Sequence, residues 1–157
     1  MITHPFPLLY DENSRILILG SFPSVKSREQ MFFYGHPQNR FWRVTAAVFE
    51  KPIPVTIDEK KAFLHGCRIA LWDVIASCEI SGSSDSSIRN VKSNDLTPIL
   101  NESPIERIFV NGKTAEKYYN KYIKPEIGRE ALCLPSTSPA NAAWSTEKLI
   151  EAWRVIL

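Results

Sequence analysis

Four short apolar runs, separated by segments with helical periodicity, constrain the fold of this sequence more than any other feature. The first run, Ile16-Leu17-Ile18-Leu19, ends at Gly20 and Pro23, as a short buried strand does. The other three runs lie at residues 68–72, 107–110 and 131–134. Because parallel strands alternate with helices that cover both faces of their sheet, the pattern predicts an α/β fold. We expect a three-layer α/β/α sandwich around a central four-stranded parallel sheet.

The predicted helices fill the spaces between these runs. Residues 1–14 are predicted to be extended, because Pro5 and Pro7 oppose a helix. Proline is well tolerated at the first helical position, so His36-Pro37 predicts the start of a helix that runs to about Glu50. Further helices are expected from a cap at Asp58 to His65, from 94–95 to 101, from 112–114 onwards, and after a cap at Ser145.

Length and composition limit the class of protein. With 157 residues, the chain is expected to form one domain, 1–157. A net charge of +2 is too small to indicate nucleic-acid binding by itself. Three widely spaced cysteines, Cys67, Cys78 and Cys133, favour reduced thiols in a cytoplasmic protein. The sequence has no Cys-x-x-Cys, no histidine pair at ligand spacing and no apolar run of membrane-spanning length. We therefore expect no metal site and no membrane association.

The segment from Phe33 to Trp42, Phe-Tyr-Gly-His-Pro-Gln-Asn-Arg-Phe-Trp, combines aromatic and polar side chains. With a helix that starts at His36-Pro37, Asn39 is predicted to lie in its first turn, where free N–H groups and the helix dipole favour negative charge. The turn at Gly20 indicates the same region, because ligands of parallel α/β sheets bind at the carboxyl ends of the strands.

Both segments, and a third near the end of the chain, resemble motifs of the uracil-DNA glycosylase superfamily. Gly20-Ser21-Phe22-Pro23-Ser24 is most similar to the first motif of the hypoxanthine (deoxyinosine) DNA glycosylase branch. His36-Pro37-Gln38-Asn39-Arg40-Phe41-Trp42 is similar to a segment of the mismatch-specific uracil/thymine enzymes. Leu134-Pro135-Ser136-Thr137-Ser138-Pro139-Ala140-Asn141 resembles the second superfamily motif. The motifs bracket most of the chain, so the resemblance implies a uracil-DNA glycosylase-like fold.

The resemblance also implies a function. It implies a monofunctional DNA glycosylase that hydrolyses the N-glycosidic bond of a deaminated base, with hypoxanthine the expected base, in base excision repair. The expected partner is double- or single-stranded DNA that contains deaminated bases. No metal or organic cofactor is implied, and we expect a monomer. None of the motifs places a lysine as an imine-forming nucleophile, so strand cleavage is not expected.

Asn39 is the predicted catalytic residue. An amide cannot act as a general base, but it can orient a water molecule and direct its dipole at the positive charge that develops on the sugar. On the residues alone, closure of the helix start is the favoured role of Asn39, whereas the resemblance favours catalysis. In most of the superfamily, the residue before the first-motif proline is a water-activating Asp or Asn. Here that residue is Phe22, so either Asn39 has taken over the task or activity is lost, and the intact second segment favours Asn39.

The predicted base pocket has one aromatic and one acidic side chain. Tyr34 occupies the position that stacks on the extracted base in the mismatch-specific enzymes, and stacking contributes about 1–3 kcal/mol per base. Core packing is the alternative role. Asp73 is expected to accept the N1–H of hypoxanthine or the N3–H of uracil or thymine, a hydrogen that adenine and cytosine lack; a capping Asp is an equal alternative. The other expected pocket residues are Gly20, Ser21, Phe22 and Pro23, and backbone N–H groups around Ser21–Ser24 suit a carbonyl oxygen on the base.

The residues expected to contact DNA carry hydroxyl or amide groups that suit phosphates, and they are Ser24, Ser136, Thr137, Ser138 and Asn141. The mismatch-specific enzymes place an apolar wedge near the position of Ser138, which is small and polar here. We expect the wedge within 137–143 without assigning it, and an ordinary turn is the alternative for 135–139.

A loop rich in small residues, 81–87, allows two interpretations. With Arg89, Lys92 and Asn94 beside it, the loop is predicted either to approach the phosphate backbone or to be a solvated surface loop.

Three alternative functions are consistent with parts of the pattern. A mismatch-specific uracil/thymine DNA glycosylase would share every motif. A non-catalytic module that binds damaged DNA is suggested by Phe22. A hydrolase of small molecules is a weaker alternative, because no serine is paired with a His and an Asp.

Overall fold

A four-stranded parallel sheet lies at the centre of the computed structural model, which describes residues 1–157. The chain forms seven strands, which are β1 (Ile2–Thr3), β2 (Ile16–Gly20), β3 (Ile69–Asp73), β4 (Ile75–Glu79), β5 (Arg89–Ser93), β6 (Arg107–Asn111) and β7 (Leu132–Leu134). The order across the central sheet is β3-β2-β6-β7, and every neighbouring pair is parallel. The predicted central sheet is confirmed.

Seven helices lie between or after these strands. They are α1 (Val25–Gln30), α2 (Phe41–Val48), α3 (Ile57–Gly66), α4 (Thr97–Glu102), α5 (Lys113–Tyr118), α6 (Lys124–Ile127) and α7 (Thr146–Trp153). A π-helical turn, Tyr119–Ile123, joins α5 to α6, and single 3₁₀ turns form at Asp85–Ser87 and Arg154–Ile156. None of these helices has both the length and the apolar character needed to cross a bilayer.

The central sheet buries a separate core on each face, because successive side chains of a strand point to opposite sides. On one face, Ile16 and Ile18 of β2 pack with Phe41 of α2 and Trp153 of α7. On the other face, Leu17 and Leu19 belong to a core that includes residues of α4, α5 and β4. The three-layer α/β/α arrangement follows from these two cores and agrees with the prediction.

A second sheet was not predicted from the sequence. Strands β1, β4 and β5 form an antiparallel sheet in which Ile2 pairs with Cys78 and Thr3 with Ser77. Only Val74 separates β4 from β3. In the sequence, β4 therefore looks like a more polar continuation of the apolar run that forms β3, and not like a separate strand. Strand β5 is mostly exposed and has little apolar alternation, which removes the usual sequence signal.

The start of α2 differs from the prediction. The helix begins at Phe41 with Arg40 at its N-cap, so Asn39 precedes the helix and does not lie in its first turn. The segment from His36 to Asn39 forms a separate turn, in which the Asn39 N–H donates to the His36 carbonyl oxygen at 3.0 Å. The proline at position 37 therefore shapes that turn and does not start the helix.

Two other helix starts also differ. Helix α3 is capped by Thr56 and not by Asp58: the Thr56 hydroxyl accepts from the Glu59 N–H, and the Glu59 carboxylate accepts from the Thr56 N–H. This reciprocal pair satisfies two N–H groups at once, which a cap at Asp58 would not do. Helix α4 begins at Thr97, because Asp95 instead accepts from the Thr97 N–H in a turn before the helix. The predicted cap of α7 at Ser145 is confirmed.

Candidate active site

A cleft of about 490 Å³ opens at the carboxyl ends of the central strands. Gly20, at the end of β2, pairs in register with Asp73 at the end of β3, and Asn111 ends β6 beside them. Because these strands are parallel, all three ends meet at one edge of the sheet. The predicted site residues that line the cleft are Gly20, Ser21, Phe22, Pro23, Ser24, Tyr34, Asn39, Asp73, Ser136, Thr137 and Ser138.

Asn141 is the predicted residue that does not line the cleft. Its side-chain N–H donates to the Ser136 carbonyl oxygen at 3.0 Å, so it supports the loop from within. One amide N–H of Asn141 is therefore used within the loop, and its role as a DNA contact stays a prediction.

Asn39 has its amide oxygen occupied and its amide nitrogen unpaired. Its Oδ1 accepts a hydrogen bond from the Phe41 N–H at 2.9 Å, which satisfies one of the free donors at the start of α2. Its NH₂ group donates to no protein atom, and the half-buried residue lines the cleft. One bond thus closes the helix start and orients the amide.

Arg40, the next residue, holds the loop that carries the second motif, residues 135–144, which we call the second-motif loop. Its guanidinium donates to the carbonyl oxygens of Trp144 at 2.5 Å and Asn141 at 3.1 Å. Its backbone N–H donates to the carbonyl oxygen of Thr137 at 3.1 Å. Three bonds from one residue therefore couple the segment that carries Asn39 to the loop predicted to contact DNA. The indole of Trp153 in α7 donates to the Pro135 carbonyl oxygen and supports the other end of this loop.

Tyr34 is an aromatic plate with one face covered. Its ring stacks on Phe41 with a centroid distance of 4.1 Å and an interplanar angle of 15°. Its backbone is left-handed, with φ of 51°, and its carbonyl oxygen accepts from the Trp42 indole at 3.2 Å. Burial, together with the nearby charge of Asp73, raises the pKa of the phenol above its ordinary value. Tyr34 is thus a neutral aromatic side chain that lines the cleft and is held from one side by Phe41.

Asp73 is a buried carboxylate held from one side. Its Oδ2 lies 2.7 Å from Nε2 of His4, and no backbone N–H donates to the carboxylate, so it is not a capping Asp. A Cβ added to Gly20 would lie 2.4 Å from Asp73 Oδ1 and 3.2 Å from the Tyr34 hydroxyl. Only glycine at position 20 lets the carboxylate and the phenol approach the strand end this closely.

Phe22 forms an apolar wall of the cleft. Its ring packs edge-on to that of His4 at 6.0 Å, and the guanidinium of Arg28 lies 5.8 Å from its centroid. No polar atom is available at this side chain, so it cannot activate water. The first-motif position contributes shape to the cleft and no acid–base group.

Asn111 is a site residue that was not predicted, although its position after an apolar run could have indicated it. It follows the apolar run of β6 as Asp73 follows that of β3. Its Nδ2 donates to the Tyr34 hydroxyl at 3.2 Å and to the Thr137 hydroxyl at 3.0 Å, and its Oδ1 accepts from the Thr137 N–H at 3.1 Å. Asn111 therefore joins the aromatic plate to the second motif.

The loop at 81–87 forms one wall of the cleft. The Arg28 guanidinium donates to the Gly82 carbonyl oxygen at 2.5 Å, and the Val25 N–H donates to the Ser83 hydroxyl at 2.9 Å. Asp85 accepts from the Ser21 hydroxyl at 3.4 Å. Although the residue is open to solvent, desolvation by the surrounding walls raises the pKa of its carboxyl group. The bonds from Ser21 and Thr114 oppose this rise, and the charge of Asp73 adds to it.

The residues that follow this loop do not all face outwards. Asn94 is buried, and its side chain donates to the Asp73 carbonyl oxygen at 2.7 Å. The interpretation that placed Asn94 near a phosphate is therefore wrong, whereas Arg89 and Lys92 are exposed on β5. No three His, Cys, Asp or Glu side chains come together in a way that could hold a metal ion.

Known proteins resemble this chain over nearly its whole length. Residues 7–157 match the family model of the uracil DNA glycosylase superfamily. A hypoxanthine DNA glycosylase from Methanosarcina acetivorans is 36% identical over 158 aligned positions, which cover 99% of this chain and 98% of the relative. A hypoxanthine DNA glycosylase from Methanosarcina barkeri is 32% identical, covering 87% and 86%. The solution NMR structure of a candidate uracil DNA glycosylase from M. acetivorans matches with a TM-score of 0.82 at 34% identity, covering 99% of each chain.

Proposed function

Because this chain belongs to the uracil DNA glycosylase superfamily, we propose that it removes deaminated bases from DNA by hydrolysing the N-glycosidic bond, with hypoxanthine as its main substrate. Two relatives named hypoxanthine DNA glycosylase, at 36% and 32% identity, support this choice of base. The observation that carries the proposal is that an oriented amide, an aromatic plate and a buried carboxylate line one cleft. Asn39, Tyr34 and Asp73 are these three residues.

The cleft suits an extruded nucleotide. Its volume of about 490 Å³ falls in the range of small-molecule sites, and a base must leave the duplex stack to reach it. The base stacks on the ring of Tyr34 from the side opposite Phe41, while Ser24 and the 136–138 segment contact the DNA backbone. A mispaired deaminated base is the easiest to extrude, because it loses the least pairing energy.

Base recognition rests on an acceptor. Asp73 Oδ1 has no hydrogen-bond partner in the protein and accepts the N1–H of hypoxanthine. Adenine has no hydrogen at that nitrogen, so two acceptors would face each other and the bond would be lost. Backbone N–H groups of Ser21, Phe22 and Ser24 bind the carbonyl oxygen of the base, and this interaction strengthens as the leaving base gains negative charge.

Hydrolysis then needs an oriented water molecule. The water oxygen bonds to C1′ of the sugar as the C1′–N bond breaks, and the electron pair of that bond stays on the base. The water loses a proton and the base gains one, so atoms and charge balance. Asn39 keeps a second lone pair on Oδ1 that can accept a hydrogen bond from that water, and an NH₂ group that fixes the position of the water.

The remaining parts of the proposal concern the product, the cofactors, the form of the DNA, the oligomeric state and the compartment. No lysine lines the cleft, so the proposed enzyme is monofunctional and leaves an abasic site for later steps of base excision repair. It acts without a metal or organic cofactor, on duplex or single-stranded DNA, as a single-domain monomer. The three cysteines are unpaired, which suits the cytoplasm.

A panel of oligonucleotides tests the proposal. Duplexes and single strands that contain deoxyinosine, deoxyuridine, deoxyxanthosine or a G·T mismatch are incubated with the protein, and abasic sites are detected by alkaline cleavage. We expect deoxyinosine to be processed fastest. A greater rate on uracil or thymine mismatches would make the chain a mismatch-specific enzyme, and damage-selective binding without abasic product would make it a binding module.

A further inference from the structure

A histidine outside the recognised motifs contacts the base-recognition carboxylate. His4 precedes the segment 7–157 that matches the family model, and it lies 69 positions before Asp73 in the sequence. Nevertheless Nε2 of His4 lies 2.7 Å from Oδ2 of Asp73, and the two side chains are 5% and 6% exposed. The contact is therefore buried beneath the cleft.

The second ring nitrogen determines which atom carries the proton. Nδ1 of His4 lies 2.8 Å from the Phe6 carbonyl oxygen, and a carbonyl oxygen can only accept, so Nδ1 carries a hydrogen. The hydrogen bond between Nε2 and Oδ2 then needs one more proton, which belongs either to the imidazole or to the carboxyl group. In both arrangements Oδ2 is occupied by His4, and Oδ1 remains an acceptor that faces the cleft.

The surroundings of His4 hold its ring in place. The rings of Phe6, Phe22 and Phe33 lie 4.6, 6.0 and 6.2 Å from it. The backbone is fixed as well, because the His4 N–H donates to the Ala76 carbonyl oxygen at 2.7 Å next to the β1–β4 pair. The unpredicted antiparallel sheet thus delivers a side chain to the active site.

We propose that His4 is a positioning residue for base recognition: it binds Asp73 Oδ2 and so presents Oδ1 alone to the N–H of the extruded base. This role rests on the proposed function, since it needs a base in the cleft. His4 acts only through Asp73, so it affects the chemical step on the bound base and not the affinity for the DNA backbone.

Two substitutions separate this role from packing. In His4→Gln the longer amide reaches Asp73 and keeps that bond, whereas in His4→Asn the shorter amide reaches only the Phe6 carbonyl oxygen. We expect His4→Asn to lower the single-turnover excision rate on deoxyinosine DNA about 10- to 100-fold with an unchanged half-saturating protein concentration, and His4→Gln to restore most of the rate. His65→Asn is the matched control, because His65 does not line the cleft and its Nδ1 lies 3.1 Å from Oδ2 of Asp11.

A double-mutant cycle makes the test specific. In the Asp73→Ala background, His4→Asn should have no further effect on the rate, because the carboxylate through which it acts is gone. Equal rates for His4→Asn and His4→Gln, or an undiminished effect of His4→Asn in the Asp73→Ala background, would overturn the proposal. Thermal melts of every variant establish that rates are compared between folded proteins.

A spectroscopic measurement separates this inference from the proposed function. The proton between Nε2 and Oδ2 should give a downfield proton resonance that is protected from exchange with water, and both His4→Asn and Asp73→Ala should abolish it. Absence of that resonance in the parent protein would refute the pairing. If the resonance is present but no base is excised from any substrate, the proposed function fails and the positioning role fails with it, while the pairing itself stands.

Discussion

The amide oxygen of Asn39 accepts a hydrogen bond from the backbone N–H of Phe41 at 2.9 Å. This bond makes the two roles considered for Asn39 compatible, because closing the helix start also fixes the amide. The oxygen end is held by α2, and the NH₂ end is left without a protein partner at the cleft. An uncharged side chain is thereby oriented before the substrate arrives, so no reorganisation is needed during the reaction.

Replacing Asn39 should remove most turnover. Asn39→Ala deletes the polar groups that hold the water, and loss of one such group lowers kcat by roughly 100- to 1,000-fold. The lost bond to Phe41 should destabilise the fold by only about 1 kcal/mol. Single-turnover excision and thermal melts measure the two effects. Gln38→Ala, an exposed neighbour whose side chain makes no hydrogen bond, is the control, and an unchanged rate in Asn39→Ala would exclude Asn39 from the mechanism.

Asp73→Asn should retain more activity than Asp73→Ala. The Asn amide can donate to Nε2 of His4 and still direct its oxygen at the base, whereas Ala leaves both the base and Nε2 of His4 without a partner. We expect a difference of roughly tenfold in the rate on deoxyinosine, the equivalent of one hydrogen bond. Equal rates in the two variants would show that the acceptor at position 73 does not contribute to recognition.

Gly20→Ala should damage the site more than the fold. The added Cβ would lie 2.4 Å from Asp73 Oδ1, so the carboxylate must move out of its position beside the cleft. We expect roughly a 100-fold lower rate on deoxyinosine for a displacement of about 1 Å, and a destabilisation of about 1–3 kcal/mol. Gly66→Ala is the matched control, because the nearest atom to its Cβ is Lys51 Nζ at 3.6 Å and the position lies at the end of α3. A Gly20→Ala protein as active as Gly66→Ala would contradict the prediction.

Arg40→Ala should weaken DNA binding more than it lowers the maximal excision rate. It removes the two side-chain bonds that hold the carbonyl oxygens of Asn141 and Trp144, so the second-motif loop gains freedom that binding must then remove. We expect the half-saturating concentration to rise about tenfold, the equivalent of about 1.4 kcal/mol, with a smaller change in the maximal rate. Arg43→Ala removes the same charge from an exposed position of α2 and makes no bond to this loop. Equal binding losses in the two variants would assign the effect to charge alone.

Asp85→Asn should stabilise the protein at neutral pH. Desolvation raises the pKa of Asp85 above its value in the unfolded chain, so the folded state binds this proton more tightly than the unfolded state does. The stability that this group contributes is fully present below the unfolded pKa of about 3.9 and is lost as pH rises through the raised pKa of the folded state. Thermal melts from acid to neutral pH should therefore show the variant equal to the parent in acid and more stable at pH 7. A variant less stable than the parent at pH 7 would contradict the prediction.

The central sheet was predictable because a short strand that is buried on both faces consists almost entirely of apolar residues. Each of its strands is an apolar run that ends at a turn or polar residue, and Gly20 and Asp73 were found because they follow such runs. The sheet of β1, β4 and β5 escaped prediction because its edge strands are short or exposed, and an exposed strand needs no apolar alternation. The start of α2 was misplaced because a proline after a histidine suits a turn as well as a helix.

The local sequence determined the order of strands and helices and the positions of the motifs, because apolar spacing and turn residues act over a few neighbouring positions. Together the motifs and the strand ends located predicted site residues that all line the cleft, with the exception of Asn141. Only the tertiary structure decided which side chains hold the site together: His4 against Asp73, Asn111 between Tyr34 and Thr137, and Arg40 on the second-motif loop. The physical reason is that a hydrogen bond between residues 26 to 104 positions apart depends on how the strands and helices pack, and no local pattern encodes that packing.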